Sequence, residues 1–342
     1  MATYIDEIEP NEANLSGLSV LVTGGDEGLG WEIARLYLIL GADNVYLTAK
    51  AKKNGDHARD SLLLDSKVLE KNPGGQVHVF EVDMADTNAV LEFCQKFRRE
   101  VSNLHIAVLS ASVDLPYYRP TQYRMEECFH VNFFANAIIS NFLMEILDEN
   151  SPENRSMEVK LQKRSIRNNV FETLPSHLTW VSSPESYECS ISGDWGVFFE
   201  DIYGRLNRRS DMGPTRSKST RFLATTYALK QAQHVGDEKL VINVASPGHP
   251  QAGQRWRFSS IGRTIAVAID SVFSRQQFDG ADAIVRATLT GPEANGTYWD
   301  GGNIIPPPWS LRKPDGKLFQ IRLWEETIYA LEMASPLIPT HE

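Results

Sequence analysis

The sequence predicts an α/β fold in which a parallel sheet carries helices on both faces. Six short runs rich in branched apolar residues alternate with longer segments of helical periodicity. A glycine-rich turn, TGGDEGLG at 23–30, joins the first apolar run to the first helical segment. Strands that alternate with helices form right-handed βαβ units, and such units build a doubly wound sheet of the Rossmann type.

Each predicted element has a local reason. The strands are short, apolar and β-branched; they span 18–24, 44–50, 76–84, 104–112, 177–183 and 239–248. The helices repeat apolar residues at three- and four-residue spacing; they span 28–41, 87–101, 125–147, 217–233 and 318–333. Gly41 ends the first helix, and a Pro-Gly-Gly turn at 73–75 precedes the third strand. The helix at 125–147 is apolar nearly all round, which predicts burial or a subunit contact and allows a homodimer.

Three segments are expected along the chain. Residues 1–16 form an N-terminal extension, 17–305 form the sheet domain, and 306–342 form a proline-rich crossing and a helix that docks on the body. The connections 148–176 and 184–213 are long for a compact domain. Loops of that length are usually functional or disordered.

The composition limits which partners and which cellular compartment are expected. The chain has 34 Lys and Arg residues against 44 Asp and Glu residues, a net charge of -10, which argues against nucleic acid or an anionic membrane as main partner. The N-terminus lacks a secretory pattern, and no apolar run is long enough to span a membrane. Cys94, Cys128 and Cys189 have no metal-site spacing and are expected to be free thiols. We therefore expect a cytoplasmic protein without a metal.

The turn at 23–30 predicts a nucleotide-binding loop. Gly24, Gly28 and Gly30 permit a tight turn and a close backbone approach, and the following helix directs its N–H groups at a phosphate. Thr23 and Leu29 complete the predicted cofactor contacts in this turn. The spacing differs from the G-x-G-x-x-G pattern, and a glycine turn that serves only helix packing is the alternative.

The ends of the next strands predict which nucleotide binds. Lys50 and two further lysines follow the second strand, where a basic residue favours the 2′-phosphate of NADP(H). Asp83 ends the third strand and can accept a hydrogen bond from an adenine amino group, with Met84 beside it. Ser110, after the fourth strand, is the last predicted cofactor contact. A solvated basic turn and an ordinary strand-end aspartate are the alternatives.

Together these residues resemble the short-chain dehydrogenase/reductase family along about residues 15–305. The chain is most similar to fungal members of specialised-metabolite pathways, which carry a similar C-terminal extension. The shared features are the glycine turn, Asp83, Asn132 on a helix, VSS ending in Ser183, and SK ending in Lys218. The resemblance implies that Asn132 supports a proton relay and Ser183 holds the substrate oxygen. It implies that Lys218 binds the nicotinamide ribose and lowers the pKa of a catalytic tyrosine.

That tyrosine has no counterpart in this chain. It would stand four residues before Lys218, where Pro214 has no proton to donate. Three further departures surround the predicted site. They are the acidic pair Asp26–Glu27 in the glycine turn, Ser112 where the family has glycine after the fourth strand, and His249 after the sixth strand. These departures predict that hydride transfer has been lost or redirected.

Three residues are candidates for a substitute acid. Tyr187 and Tyr203 lie in the connection between Ser183 and Lys218, although most loop tyrosines serve packing. His249 follows the last predicted strand at the sheet edge where doubly wound folds bind ligands, and a histidine titrates near neutral pH. A structural histidine is the alternative.

Three functions are compatible with these features. The first is a non-redox enzyme that cyclises, isomerises or rearranges a polyketide- or terpenoid-like molecule. The second is an NADPH-dependent reductase with a substitute acid, and the third is a non-catalytic binding protein. An apolar small-molecule partner is expected because aromatic residues occur in the connections near the same edge; they are Tyr117, Tyr118, residues 195–199, Trp256 and Phe258. Packing is the alternative role for them.

Overall fold

The structure, a computed structural model, describes residues 13–150, 161–162, 171–172, 175–189, 201–209, 216–235, 240–248 and 270–339. The strands in these parts of the chain are β1 (Ser19–Thr23), β2 (Asn44–Ala49), β3 (Gln76–Glu81), β4 (Ile106–Leu109), β5 (Leu161–Gln162), β6 (Phe171–Glu172), β7 (Ser176–Val181), β8 (Leu240–Ser246), β9 (Tyr298–Asp300) and β10 (Asn303–Ile305). Eight of them form one sheet in the order β10-β9-β8-β7-β4-β1-β2-β3, and β5 pairs with β6 separately.

The sheet is parallel except at one edge. In its centre, Val20 of β1 pairs with Val45 of β2 on one side and Ile106 of β4 on the other. Every residue of β1, β4 and β8 is buried, as expected when helices cover both faces of a parallel sheet. Only β9 and β10 pair antiparallel within this sheet of described strands. The order β3-β2-β1-β4-β7-β8 is the doubly wound order, so the predicted fold class is confirmed.

Helices fill the connections between the strands. Those with described bounds are Gly28–Ile39, Lys52–Leu63, Ser66–Lys71, Thr87–Glu100, Glu127–Phe129, Ala135–Glu149, Ile202–Leu206, Arg216–Gln231, Asp270–Ala287, Trp309–Arg312 and Pro314–Ala334. A π-helical turn, His130–Phe134, joins Glu127–Phe129 to Ala135–Glu149. The three pieces form one long helix, here called the central helix. Short 3₁₀ segments cover Pro184–Glu188 and Pro292–Ala294.

Two apolar cores lie on opposite faces of the sheet. Leu21 belongs to one core and its neighbour Val22 to the other, because successive side chains of a strand point to opposite faces. The Val22 core includes residues of the helices Gly28–Ile39 and Asp270–Ala287. The Tyr37 hydroxyl also lies 2.8 Å from Oγ1 of Thr288, the residue that follows the second of these helices. The Leu21 core contains the central helix.

The C-terminal helix, Pro314–Ala334, packs on the helix Arg216–Gln231. Trp324 stacks on Tyr227 with ring centroids 5.1 Å apart, and Phe319 meets Phe222 at 5.9 Å. Trp324 also stacks on His234 at 4.3 Å with nearly parallel rings. This packing belongs to the same apolar core as the central helix, whose residues are nearly all buried within one copy of the chain. A homodimer stays a prediction, but burial of the central helix does not require one.

The six predicted strands are confirmed with ends displaced by up to three residues. The predicted helices are confirmed as well, although the one expected at 125–147 begins at Glu127 and contains the π-helical turn. The edge pair β9–β10 and the helices Lys52–Leu63, Ser66–Lys71 and Asp270–Ala287 were not predicted. Among the described residues, no helix combines the length and the apolar character that a membrane span requires.

Candidate active site

The candidate site lies at the carboxyl ends of the parallel strands. Strand order reverses between β1 and β4, since the chain passes outward from β1 through β2 to β3 and then returns to β4. Doubly wound folds bind ligands in the crevice at such a reversal. The residues that follow β1, β2, β3, β4 and β7 are therefore the ones whose contacts decide what this site can hold.

The glycine turn after β1 is shaped by close backbone contacts. Gly24 has a φ of +63°, and a Cβ atom there would stand 2.9 Å from the Cα of Ala111. A Cβ at Gly30 would stand 2.2 Å from the carbonyl oxygen of Gly24. Gly28 has a φ of +57° but faces open space. The turn thus packs on the end of β4 and leaves room in front of Gly28, which fits a nucleotide phosphate.

Thr23 holds the ends of β1 and β4 together. Its Oγ1 accepts hydrogen bonds from the backbone N–H of Ser110 at 3.0 Å and of Ala111 at 3.1 Å. The side chain of Leu29 is buried behind the turn, in the core on that face. Of the predicted cofactor contacts, Thr23 and Leu29 therefore have structural partners that shape the turn, whereas Ser110 is half-buried at its rim.

Two acidic side chains lie where the turn meets its helix. Glu27 precedes the first turn of Gly28–Ile39 and makes no side-chain hydrogen bond to it, so this helix start is not capped by that carboxylate. Burial raises the pKa of Asp26, and the negative charge of Glu27 raises it further. The acidic pair places negative charge beside the turn that a phosphate would approach, which opposes phosphate binding.

The residues after β2 and β3 meet at the side of the crevice. Lys50 Nζ lies 3.1 Å from Asp83 Oδ2, and both side chains are well exposed. The other carboxylate oxygen of Asp83 accepts a hydrogen bond from Ala85 N at 3.0 Å. Met84, the residue after Asp83, is buried in the apolar core. The structure thus brings the predicted basic residue and the predicted adenine contact together, in a position that could hold the adenosine half of NADP(H).

Asn132 connects the loop after β4 to the helix that carries Lys218. Its amide oxygen accepts from Val113 N at 2.6 Å, and its amide nitrogen donates to Val113 O at 2.9 Å and to Thr220 Oγ1 at 3.0 Å. It lies in the π-helical turn, a feature that is frequent at functional sites. Asn136, one turn later, donates to Ala111 O at 3.1 Å. Buried Asn132 therefore fixes the loop that forms the floor of the site.

The remaining predicted catalytic residues reach the same edge from other elements. Ser183 follows β7, is half-buried, and accepts a long 3.4 Å hydrogen bond from Glu185 N at the start of a 3₁₀ turn. Lys218 lies in the first turn of the helix Arg216–Gln231 and is half-buried. Pro214 and His249 lie outside the residues that the structure describes.

The two candidate substitute tyrosines contact the C-terminal segment. Tyr187 donates a short hydrogen bond to the carbonyl oxygen of Pro306. Tyr203 donates to Thr327 Oγ1 at 3.2 Å, and burial raises its pKa well above the ordinary value. A phenol with a raised pKa is a weaker proton donor, so Tyr203 is poorly suited to acid catalysis at neutral pH.

The sequence prediction missed Arg221. This arginine lies three residues after Lys218, on the same face of the helix, and only 7% of it is exposed. Its Nη2 donates to Ser112 Oγ at 3.0 Å. Burial lowers its pKa, but a guanidinium remains charged at neutral pH. Its helical spacing from Lys218 does not identify it, because an arginine in a polar stretch of helix is usually solvated.

Of the aromatic residues predicted to line a pocket, the structure describes Tyr117 and Tyr118. Tyr118 donates to the backbone carbonyl of Asn207 at 3.1 Å, and Tyr117 is 55% exposed. Residues 195–199, Trp256 and Phe258 lie outside the described residues, so the aromatic pocket stays a prediction. A cavity of about 780 Å³ lies beside the C-terminal helix, with apolar walls that include Met125, Phe134, Tyr203, Tyr329, Ala330 and Met333. In the described part of the chain, no group of three or more His, Cys, Asp or Glu side chains could hold a metal ion.

Comparison with known proteins agrees with this geometry. Residues 19–153 match the family model described as short chain dehydrogenase. A short chain dehydrogenase of Arthrobotrys oligospora is 32% identical over 99% of this chain and 99% of its own length. The chain belongs to the short-chain dehydrogenase family. Members of this family typically bind NAD or NADP.

Further relatives of this short-chain dehydrogenase are also fungal. The short chain dehydrogenase macD of Penicillium terrestre is 23% identical and covers 93% of this chain and 92% of its own. The short chain dehydrogenase yanD of Aspergillus niger is 25% identical and covers 96% of each chain. Among solved structures, an uncharacterized protein from Mycobacterium paratuberculosis is similar in fold. Its TM-score is 0.63 at 16% identity, over 96% of this chain and 98% of that one.

Proposed function

We propose that this short-chain dehydrogenase relative catalyses a non-redox reaction, a cyclisation, isomerisation or rearrangement, on an apolar polyketide- or terpenoid-like intermediate of fungal specialised metabolism. One observation carries the proposal. The position four residues before Lys218, where the family has its tyrosine, is Pro214. A proline has no side-chain proton, so the acid that accompanies hydride transfer in the family is absent from that position.

The contacts of the two candidate substitute tyrosines also support a non-redox reaction. The hydroxyl of Tyr187 is engaged by Pro306 and that of Tyr203 by Thr327, both in the C-terminal segment. Each phenol would have to give up that hydrogen bond before it could serve as the missing acid. A reaction that needs orientation and electrostatic stabilisation, but no phenolic acid, makes no such demand.

The retained residues support such a reaction. Asn132 fixes the loop after β4 through hydrogen bonds to both the N–H and the carbonyl oxygen of Val113. Ser183 and Lys218 supply a hydroxyl and an ammonium group at the carboxyl edge of the sheet. Fixed donors of this kind accelerate reactions by holding the reacting atoms close and by stabilising negative charge as it develops on oxygen.

The nucleotide crevice is retained in this proposal. Gly24, Gly28 and Gly30 would hold the pyrophosphate of NADP(H), and Lys50 would contact its 2′-phosphate. When bound, NADPH supplies a hydride to reductases of this family. Under the proposed function the nucleotide has a structural or positioning role, and it is not consumed.

An NADPH-dependent reductase is the second candidate. The close packing of Gly24 and Gly30 and the open space before Gly28 favour it, because they preserve a crevice that fits the cofactor. A reductase would need a proton donor other than the residue at position 214. Absence of NADPH binding by isothermal titration calorimetry would exclude this candidate.

A gain-of-function variant tests the proposed function. Pro214→Tyr restores the family's proton donor, and we expect it to consume NADPH with a simple β-keto ester such as ethyl acetoacetate, whereas the unaltered protein does not. The double variant Pro214→Tyr/Lys218→Met is the control, since the tyrosine depends on the lysine for its lowered pKa. Stoichiometric NADPH consumption by the unaltered protein would refute the non-redox function.

A further inference from the structure

We propose that Ser112, supported by Arg221, is the hydrogen-bond donor that binds the reacting oxygen of the substrate. This inference deepens the proposed function and depends on its claim that the substrate binds at the carboxyl edge of the sheet. It assigns a role to a serine that the sequence marked only as a departure, and to an arginine that the sequence did not mark.

The pair joins a buried charge to an exposed hydroxyl. Ser112 lies in the loop directly after β4, at the strand-order reversal, and is exposed. Arg221 extends from a helix in the interior, with 7% of its surface exposed, and its Nη2 lies 3.0 Å from Ser112 Oγ. The guanidinium therefore reaches the crevice through the hydroxyl of Ser112.

The chemistry of the two groups fixes the direction of this hydrogen bond. A guanidinium has five N–H donors and no acceptor, so Ser112 Oγ must be the acceptor. The hydroxyl proton of Ser112 then remains for another acceptor, and in the described part of the chain no acceptor for it is found. Donation from a charged group polarises the hydroxyl and makes it a stronger donor to the next oxygen.

Two carboxylates lie near enough to the guanidinium to favour its charged form; they are Asp114, on the loop after β4, and Glu185, on the turn that follows Ser183. Burial opposes them and lowers the pKa of Arg221, but a guanidinium remains charged at neutral pH. Arg221 is therefore a charged donor near both the loop that carries Ser112 and the turn that follows Ser183.

The loop that carries Ser112 is held in place before any ligand arrives. Asn132 engages both the N–H and the carbonyl of Val113, the next residue, and Thr23 engages Ala111 N on the other side. Donors that are fixed in advance need no rearrangement when negative charge develops, which makes them effective in catalysis. The ligand class that suits this donor is a carbonyl oxygen that becomes an enolate or phenolate, carried on an apolar frame.

The test uses 4-nitrophenol, whose phenolate absorbs light that the neutral phenol does not. The probe is titrated with pH in the presence of saturating full-length protein. A polarised donor binds the phenolate better than the phenol, so we expect the bound probe to ionise about one pH unit lower, a tenfold change in the ionised fraction. Ser112→Ala and Arg221→Leu should each abolish most of that change, and Arg221→Lys should retain part of it.

A double-mutant cycle distinguishes this role from a structural one. If Arg221 acts through Ser112, the double variant should titrate like either single variant, because the two effects are coupled. Arg35→Leu is the matched control, since its guanidinium is 12% exposed and pairs with Glu32 and Asp65 away from the crevice. That variant should lower thermal stability and leave the titration unchanged.

Several outcomes would overturn the inference. They are failure of the unaltered protein to bind 4-nitrophenol or to shift its ionisation, an unchanged shift in Ser112→Ala, and additive effects in the double variant. Failure of the proposed function is distinguishable, because NADPH consumption by the unaltered protein would refute the non-redox reaction and leave this titration as it is.

Discussion

Three glycines in the turn after β1 differ in what an added methyl group would meet, which makes them a graded test of the nucleotide crevice. At Gly28 the backbone is left-handed, with a φ of +57°, but no atom lies within 4 Å of a built Cβ. At Gly30 the backbone is ordinary, but the Cβ would stand 2.2 Å from Gly24 O. At Gly24 both problems occur, with a φ of +63° and the Cα of Ala111 at 2.9 Å.

The expected free energies of unfolding follow from these differences. A left-handed alanine costs about 1–2 kcal/mol, so Gly28→Ala should destabilise by about that amount. Overpacking against a backbone atom costs about 1–3 kcal/mol, which applies to Gly30→Ala. Gly24→Ala incurs both and should lose about 2–5 kcal/mol. Gly28→Ala, which meets no atom within 4 Å, is therefore expected to be the least destabilised of the three.

Urea unfolding measures stability, and isothermal titration calorimetry with NADPH measures the crevice. Gly28→Ala places its methyl group in the open space where a phosphate would approach, so NADPH affinity should fall at least about tenfold despite the modest loss of stability. A Gly28→Ala variant that binds NADPH normally would refute the phosphate site. Equal destabilisation by Gly24→Ala and Gly28→Ala would refute the close contact with the end of β4.

Trp324→Ala should cost about 3–5 kcal/mol of unfolding free energy in urea, because the buried ring packs between two aromatic neighbours; Trp309→Ala, at 59% exposed, should stay within about 0.5 kcal/mol. Burial lowers the pKa of His130 from the ordinary 6.5 to about 4. Because the unfolded chain then binds a proton that the folded protein does not, the unfolding free energy should fall as the pH falls from 6.5 to about 4, by up to about 1.4 kcal/mol per pH unit. The variant His130→Gln should lose this pH dependence. An unchanged dependence in that variant would contradict the assignment to His130. Lys50→Ala should reduce NADPH affinity about tenfold while NADH affinity stays the same, with Lys71→Ala as the unaffected control. Because the ion pair of Lys50 with Asp83 is exposed, Lys50→Ala should change the unfolding free energy by less than about 1 kcal/mol.

The sequence predicted the sheet well because buried parallel strands are continuous apolar runs. Leu21 and Val22 are both buried, on opposite faces of the sheet. A run such as LSVLVTG is typical of a strand that is covered on both faces. The edge strands were missed because each is only three residues long, and β10 is also mostly exposed, so neither carries a long apolar run. The helix Lys52–Leu63 was missed because its lysines suggested a basic turn, and its burial rests on Gly55, Ala58 and Leu62 alone.

The sequence suggested several residues of the candidate site but did not suggest Arg221. Gly24, Asn132 and Lys218 occupy positions whose spacing and sequence neighbours identify them. Arg221 has no such signature, because an arginine in a polar stretch of helix is usually solvated. Its hydrogen-bond partner Ser112 lies 109 residues earlier in the chain. Contacts of that range are set by the packing of whole elements, which local patterns do not encode.

The most direct test of the non-redox reaction follows the hydride itself. The protein is incubated with NADPH that carries deuterium at the transferred position and with a metabolite extract from a culture that lacks this gene, and the products are analysed by mass spectrometry. We predict a new product that has the mass of its precursor and contains no deuterium. A product that contains one deuterium for each NADPH consumed would contradict the account.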